Sequence, residues 1–348
     1  MTPPIRVLSI FGTRPEAVKM APVVKALQGA RGLESRVCVT AQHREMLDQV
    51  LAQFDIVPDH DLNLMRPDQS LAGLTSEILT HLDPILALEH PDWVLVQGDT
   101  TTVMTASLAA FYRGIKVGHV EAGLRTGDKR QPFPEEINRR ITSTLADLHF
   151  APTEASRDNL LREGIPAQSI RVTGNTVIDA LQHISQFPPP VQVADWLAHW
   201  GITSGQRRLI LVTAHRRENF GQPIQNICRA LRLLVERYED TLRILYPVHM
   251  NPNIQEPVNK LLKDVPQVIL TPPMDYLSLV HLMKAALASL ALSVAALAFS
   301  THAEGSSDMQ NSILVIHEKG ATTVERNAVD AFARRLRLRS HADVTVAA

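Results

Sequence analysis

The sequence predicts an α/β protein made of two doubly wound domains, each built on a parallel β-sheet. Short apolar runs, typical of buried parallel strands, alternate with longer segments whose apolar residues recur every three or four positions. This alternation is interrupted by a proline-rich stretch near the middle of the 348-residue chain and then resumes. Because parallel strands are joined by crossover helices, each series predicts one doubly wound sheet, and we expect the two to face a central cleft.

The first series supplies the strands and helices of the first domain. Its strands are predicted at Val7–Phe11, Ser35–Thr40, Trp93–Gln97, Val117–Glu121, His149–Ala151 and Ile170–Thr173. Its helices include segments such as Glu16–Gln28, Leu71–Leu88 and Thr101–Tyr112, and Val177–Ser185 precedes the proline-rich stretch. The order of these elements is that of a repeated strand–helix unit, which places the helices on the faces of a parallel sheet.

A domain boundary is expected at Phe187-Pro188-Pro189-Pro190, because consecutive prolines cannot continue a helix and favour an extended connector. The two domains are therefore predicted at residues 1–185 and 191–348. The second series contains predicted strands at Arg208–Thr213, Leu242–Pro247, Val268–Leu270 and Ile313–Ile316, with helical segments such as Ile224–Tyr238 between them.

Composition is that of an ordinary globular protein, with 45% hydrophobic and 20% charged residues and a net charge of -1. Such a charge gives no general attraction to nucleic acid or anionic membranes, so a small-molecule partner is favoured. The apolar segment 285–299 is shorter than the roughly 18 residues that indicate a membrane span, and a buried helix is predicted there. Cys38 and Cys228 lack metal-ligand spacing, and the N-terminus lacks the features of a secretory signal, which predicts a cytoplasmic protein.

Two carboxylates follow neighbouring predicted strands. Asp99 comes after Trp93–Gln97, and Glu121 ends Val117–Glu121. Open α/β sheets bind ligands at the carboxyl ends of their strands, so both acids are expected at one crevice. Either acid alone is more often a helix N-cap or a polar strand end, but their parallel placement favours a functional pair.

A glycine turn, Phe11-Gly12-Thr13, joins the first strand to a helix that carries Arg14 and Lys19. Backbone N–H groups and cations at a helix N-terminus suit a phosphate, although the sequence has neither a Walker nor a dinucleotide-binding pattern. A plain strand-to-helix turn with solvated cations explains these residues equally well.

Further polar residues stand at other predicted element ends. Pro134 begins a helix that carries Glu135 and, one turn on, Arg139. An exposed capping helix would give the same pattern. In the second domain, His215 and Arg216 follow one strand and His249 follows the next. A lone histidine is more often structural, but His215 stands at a strand end beside arginines, which favours a ligand site.

Taken together, these stretches resemble the bacterial non-hydrolysing UDP-N-acetylglucosamine 2-epimerases. The resemblance extends from about Ile5 to about Lys284 and is carried by Phe11–Glu16, Thr40–Arg44, Gln97–Thr101, Gly118–Gly127, Pro134–Arg139, Thr173–Ala180, His215–Glu218 and Tyr246–Asn253. It implies two Rossmann-like domains in a GT-B-like fold and a homodimer. It also implies interconversion of UDP-N-acetylglucosamine and UDP-N-acetylmannosamine for surface polysaccharide synthesis.

The same resemblance assigns roles to the residues singled out above. Asp99, Glu121 and Glu135 match the family's acid/base carboxylates, and His215 matches a residue that contacts the diphosphate or supports proton transfer. Arg14, Lys19 and Arg139 match substrate-binding positions, whereas Gln42, Arg216 and His249 match positions linked in some members to a second, activating UDP-N-acetylglucosamine. Removal of the C2 proton and expulsion of UDP would give 2-acetamidoglucal, and no metal or cofactor is expected because cations and helix N-termini can hold the leaving group.

After Lys284 the sequence departs from the family pattern. Members carry a D-S-G-G-x-Q-E-E turn that holds the UDP, and this chain has Ala285 to Val294 and then Thr301 to Asp308 in its place. A diverged or frame-disturbed end would weaken UDP binding, whereas another turn such as Gly305-Ser306-Ser307 could take over the phosphate. Rival functions are a hydrolysing epimerase that releases N-acetylmannosamine and UDP, and a family member that binds a UDP-sugar or an intact epimerase without turnover.

Overall fold

The structure, a computed structural model, describes residues 3–40, 44–64, 66, 69–214, 220–286, 313–316 and 344–347. They form two compact units, the first reaching Gln182 and the second starting at His183. Both units alternate strands with helices, as the sequence predicts, and the α/β class is confirmed.

The first unit contains a seven-stranded parallel sheet. Its strands are β1 (Ile5–Phe11), β2 (Leu33–Val39), β3 (His60–Asp61), β4 (Trp93–Gln97), β5 (Lys116–Val120), β6 (Leu148–Ala151) and β7 (Ile170–Val172). Its helices are α1 (Arg14–Gly29), α2 (Arg44–Gln53), α3 (Leu71–Glu89), α4 (Thr101–Tyr112), α5 (Glu135–Leu145), α6 (Glu154–Arg162) and α7 (Thr176–Ile184). The spatial order is β3-β2-β1-β4-β5-β6-β7, with every neighbouring pair parallel.

This strand order reverses direction between β1 and β4. The chain builds outward from β1 to β3, crosses back to β4 beside β1, and then builds outward on the other side. Such a reversal opens a crevice at the carboxyl ends of the two central strands. We therefore expect the functional residues of this unit to follow β1 and β4.

The core of the first unit lies where α3 and α4 pack on the central strands. Leu8, Ile10, Val94 and Val96 meet the buried side of α3 and the small residues of α4. Ala106, Ala109 and Ala110 are almost completely buried and leave room for α4 to lie close to its neighbours. The helix therefore begins at a fixed place relative to the end of β4.

The second unit contains a three-stranded parallel sheet. Its elements are α8 (Val191–His199), β8 (Arg208–Leu211), α9 (Gln222–Tyr238), β9 (Leu242–Pro247), α10 (Pro252–Leu262) and β10 (Val268–Thr271), in the sheet order β10-β9-β8. Residues 276–286 are helical. Apart from the two larger sheets, the segments β11 (Ile313–Ile316) and β12 (Val344–Ala347) pair with each other. The apolar segment 285–299 falls outside the described residues beyond position 286.

Some element bounds differ from the predicted ones for identifiable reasons. The strand predicted to include Glu121 ends at Val120, because Glu121 has a φ of 65° that a strand does not accommodate. The prediction omitted α8, which begins immediately after Pro190; a proline is well tolerated just before a helix although it cannot lie inside one. In the described part of the chain, no helix is both long and apolar enough to span a bilayer.

Both cysteines are buried and unbridged, as expected of core thiols. Burial raises the pKa of Cys38 in β2 to about 12 and that of Cys228 in α9 to about 11. Since the thiolate is the reactive form, neither thiol is activated as a nucleophile.

Candidate functional site

Two polar turns follow the central strands at the reversal point of the sheet. The turn after β1 contains Gly12 and Thr13, and the turn after β4 contains Gly98, Asp99 and Thr100. Thr13 and Thr100 cap α1 and α4, each accepting a hydrogen bond from a backbone N–H in the first turn of its helix. Each strand is therefore followed at once by a capped helix, and the two caps fix the conformation of the turns.

Buried Glu16 joins these two turns. Its Oε2 accepts hydrogen bonds from the N–H groups of Gly12 at 3.0 Å and Thr13 at 2.7 Å, and its Oε1 accepts one from Thr100 Oγ1 at 2.7 Å. Burial raises the pKa of Glu16, although these donors favour the ionised form. The N–H groups of Gly12 and Thr13 are thus bound to Glu16, so the phosphate site considered for this turn cannot use them.

Asp99 lies at the end of β4, in contact with two residues of α5. Its Oδ2 accepts a charge-assisted hydrogen bond from the Arg139 guanidinium, and its backbone carbonyl accepts one from Asn138 Nδ2 at 3.0 Å. Burial raises the pKa of Asp99 above its ordinary value, with the Arg139 charge opposing this rise. Asp99 can therefore exchange a proton nearer neutral pH than an exposed aspartate.

Glu121, directly after β5, is held by three donors. Oε2 accepts hydrogen bonds from Lys19 Nζ at 2.6 Å and Gln97 Nε2 at 2.5 Å, and Oε1 accepts one from Asn175 Nδ2 at 2.9 Å. Its positive φ is uncommon for a residue with a side chain. Such a conformation persists where surrounding contacts determine it and is frequent at functional sites.

Asp99 and Glu121 are close neighbours. Their strands pair in register, with Gln97 opposite Val120, and a Cβ placed on Gly98 would lie 4.0 Å from Glu121 Oε2. The negative charge of Glu121 contributes to the raised pKa of Asp99. The structure thus brings the two acids to one edge of the sheet, where the sequence places them.

Helix α5 carries two adjacent glutamates in different environments. Glu136 is buried, accepts hydrogen bonds from the N–H groups of Thr126 at 3.1 Å and Gly127 at 3.3 Å, and lies 3.4 Å from Arg139 Nη1. It therefore anchors the loop after Glu121. Glu135 is partly exposed, and its solvent-inaccessible Oε2 meets no hydrogen-bond donor in the described residues.

The remaining predicted site residues lie elsewhere. Arg14 is the first residue of α1 and is partly exposed. His249 follows β9 in the second unit, is exposed, and accepts a hydrogen bond at Nδ1 from the N–H of Asn251 at 3.1 Å. Gln42, His215 and Arg216 lie outside the described residues. The roles proposed for all of them stay predictions.

Sequence reasoning gave no role to Glu16, Gln97 or Asn175. Gln97 and Asn175 lie in quoted motifs, but their contacts with Glu121 join distant parts of the chain, which periodicity does not reveal. Glu16 could have been recognised, because Thr13 followed three residues later by Glu16 is a capping-box pattern.

Comparison with known proteins identifies the family. A model of the family described as UDP-N-acetylglucosamine 2-epimerase matches residues 25–293. The UDP-N-acetylglucosamine 2-epimerase of Salmonella typhimurium is 55% identical over 281 residues, covering 80% of this chain and 74% of that relative. The chain belongs to the UDP-N-acetylglucosamine 2-epimerase family. The family resemblance expected from the sequence is therefore confirmed.

Solved structures of UDP-N-acetylglucosamine 2-epimerases share the fold. The Neisseria meningitidis enzyme bound to UDP-GlcNAc has a TM-score of 0.72 and 49% identity, with 81% of this chain and 76% of that one covered. The Methanocaldococcus jannaschii enzyme in complex with UDP-GlcNAc and UDP has a TM-score of 0.65 and 30% identity, with 81% and 77% covered. The GT-B-like α/β class predicted from the sequence is confirmed.

Proposed function

We propose that this protein interconverts UDP-N-acetylglucosamine and UDP-N-acetylmannosamine by eliminating and re-adding UDP, without hydrolysis. The observation that carries the proposal is the pair of acids at adjacent strand ends, Asp99 with Arg139 and Glu121 with Lys19, in a chain of this family. Inversion at C2 needs proton removal on one face and proton delivery on the other. Two separately held carboxyl groups meet that requirement.

The elimination step has a defined balance of atoms and charge. A base takes the C2 proton, the C1–O bond breaks, and UDP departs with the bonding electrons, leaving 2-acetamidoglucal. We assign proton transfer to Asp99 and Glu121, which differ in their immediate partners: one guanidinium for Asp99, and an ammonium and two amides for Glu121. Glu135, with a buried oxygen that no described donor contacts, is the third candidate acid.

Cations are proposed to hold the departing diphosphate. Arg14, Lys19 and Arg139 are the candidates among the described residues, and the family resemblance adds His215, which lies outside them. Charge-assisted hydrogen bonds to phosphate are shorter and stronger than neutral ones, so these groups favour the state in which negative charge has moved onto UDP.

The first test is deuterium incorporation at C2. The purified protein is incubated with UDP-N-acetylglucosamine in heavy water, and NMR follows both C2 exchange and formation of the manno epimer. Exchange with a mixture of both epimers is the expected result. A folded protein that binds UDP without exchanging C2 would contradict the proposal and favour the non-catalytic family member. Release of free N-acetylmannosamine would instead identify a hydrolysing epimerase.

Substitutions link the reaction to the site. Asp99→Asn, Glu121→Gln and His215→Ala should each lower the exchange rate by about 100-fold or more, the usual contribution of a positioned acid or base. Asp83→Asn is the matched control, because Asp83 is an exposed carboxylate on α3 that pairs with Arg113. Near-normal exchange in all three site variants would refute the assignment.

The family resemblance also supports a homodimer, a cytoplasmic location and a role in surface polysaccharide synthesis. For the full chain, sedimentation velocity over a range of protein concentrations tests the first of these. A single species with the mass of two chains is expected, and a monomer at every concentration would refute the dimer.

A further inference from the structure

His119 is a buried histidine, the last residue but one of β5, that the proposed chemistry does not use. Its side chain is fully buried, and Nε2 lies 2.7 Å from the backbone carbonyl oxygen of Gly98. Burial lowers the pKa of His119 to about 3, so the imidazole is neutral under ordinary conditions. Because a carbonyl can only accept a hydrogen bond, Nε2 carries the proton and donates it.

Gly98 is the residue that turns the chain from β4 toward Asp99. Its φ is 85°, a conformation that glycine adopts readily. The Gly98 N–H donates to the Val120 carbonyl at 3.0 Å, and the Gly98 carbonyl accepts from His119. Two residues of β5 therefore bind both polar groups of the Gly98 backbone. On the far side, Asn138 binds the carbonyl of Asp99. The backbone before and after the Asp99 Cα is therefore fixed by side chains.

We propose that His119 is a positioning residue, which holds the Gly98–Asp99 peptide and thereby directs the Asp99 carboxyl group toward the substrate. The proposal rests on the function proposed above for Asp99. Glycine has no Cβ to restrict this peptide, so without His119 the Gly98 carbonyl would lose its hydrogen-bond donor and would rotate to find another. A displacement of a catalytic group by about 1 Å costs roughly 100-fold in rate.

His149 in β6 provides a matched control. It is the register partner of His119, it is buried, and burial lowers its pKa as well. Its Nε2 lies 2.9 Å from the carbonyl oxygen of Ser143, in the last turns of α5, and not from the Asp99 turn. Loss of this imidazole thus measures the general cost of removing a buried histidine from the sheet.

Four variants test the proposal. His119→Phe removes the donor, His119→Asn offers an amide that reaches only the position of Nδ1, and His119→Gln offers one that reaches the position of Nε2. His149→Phe is the control. For each full-length variant, kcat and KM for C2 exchange, affinity for UDP and thermal unfolding are measured.

His119→Phe and His119→Asn should lower kcat by about 100-fold with little change in KM or UDP affinity, because substrate binding does not depend on Asp99 alone. His119→Gln should restore most of the loss, and His149→Phe should leave kcat near the wild-type value. If His119→Phe does not fold, the comparison of the two amides decides.

Three results would overturn the proposal: a wild-type kcat in His119→Asn, equal losses in His119→Gln and His119→Asn, or an equal loss in His149→Phe. If the wild-type protein shows no exchange at all, the proposed function fails, and crystal structures then decide the separate question of positioning. An Asp99 carboxyl group displaced in His119→Asn and restored in His119→Gln supports it, whereas an unmoved Asp99 in both variants overturns it.

Discussion

Asn175 is the residue through which the environment of Glu121 can be changed most cleanly. Its Nδ2 donates to Glu121 Oε1 at 2.9 Å, and its Oδ1 accepts a hydrogen bond from the N–H of Val177 at 3.0 Å, near the start of α7. Asn175→Asp keeps the size of the side chain and the acceptor for Val177. It replaces only the amide nitrogen that donates to Glu121, so a carboxylate oxygen of the new aspartate faces Glu121 Oε1.

The distance sets the expected magnitude. Two unit charges 2.9 Å apart repel by about 6 kcal/mol at an effective dielectric constant of about 20. The Glu121 side chain is only 9% exposed, which limits screening by salt. The repulsion should therefore disfavour the state in which both carboxyl groups are ionised.

A native pKa above the unfolded value makes the folded protein bind more protons than the unfolded chain. The free energy of unfolding of Asn175→Asp should therefore fall as the pH rises from about 4, the ordinary carboxyl value, through the neutral range. Asn175→Ala is the control, because it removes the same donor without adding a charge.

Urea unfolding at several pH values across that window measures the effect. The difference in unfolding free energy between Asn175→Asp and Asn175→Ala should grow by several kcal/mol as the pH rises, up to the roughly 6 kcal/mol of the charge repulsion. Parallel pH profiles for the two variants would refute the reasoning, because they would show that the new carboxylate does not meet Glu121.

Two further predictions concern the neighbouring turns. Gly12→Ala places a Cβ 2.0 Å from Thr40 Oγ1 and should destabilise the protein by about 1–3 kcal/mol, whereas Gly29→Ala, with open space around it, should not; urea unfolding compares them. Arg139→Gln removes the charge that opposes the raised pKa of Asp99, so the acidic limb of kcat/KM for C2 exchange should move to higher pH. An unmoved limb would assign that titration to another group.

Local patterns predict the long, regular elements of this chain well. Trp93–Gln97 and Thr101–Tyr112 have the same bounds in the sequence prediction and in the structure. The two-residue strand His60–Asp61 was not predicted, because its length is too short for an alternating pattern. Its place in the sheet comes from pairing with β2, which is a tertiary effect.

The candidate site likewise contains residues that local patterns predict and residues that only the tertiary structure reveals. Asp99 and Glu121 could be placed together because parallel strands end at one edge of a sheet, a rule that needs only the strand assignments. The partners of Glu121 could not be found this way, since Lys19 and Asn175 lie 102 and 54 residues from it in the chain. His119 lies in an otherwise apolar strand, so the sequence indicates only that its imidazole is buried. A buried imidazole needs a hydrogen-bond partner, but the sequence does not identify that partner.

The described contacts that hold Asp99 and Glu121 all come from residues between Lys19 and Asn175, far in sequence from the departure predicted after Lys284. Under the proposed function, we expect a change confined to that later segment to act on UDP binding rather than on proton transfer. Loss of binding that is equal in the ground and transition states raises KM and leaves kcat unchanged. Saturation kinetics of C2 exchange separate an effect on UDP binding from an effect on the reaction step. A high KM with an ordinary kcat would place the defect in binding. A low kcat at saturation would show that the segment also stabilises the departing UDP.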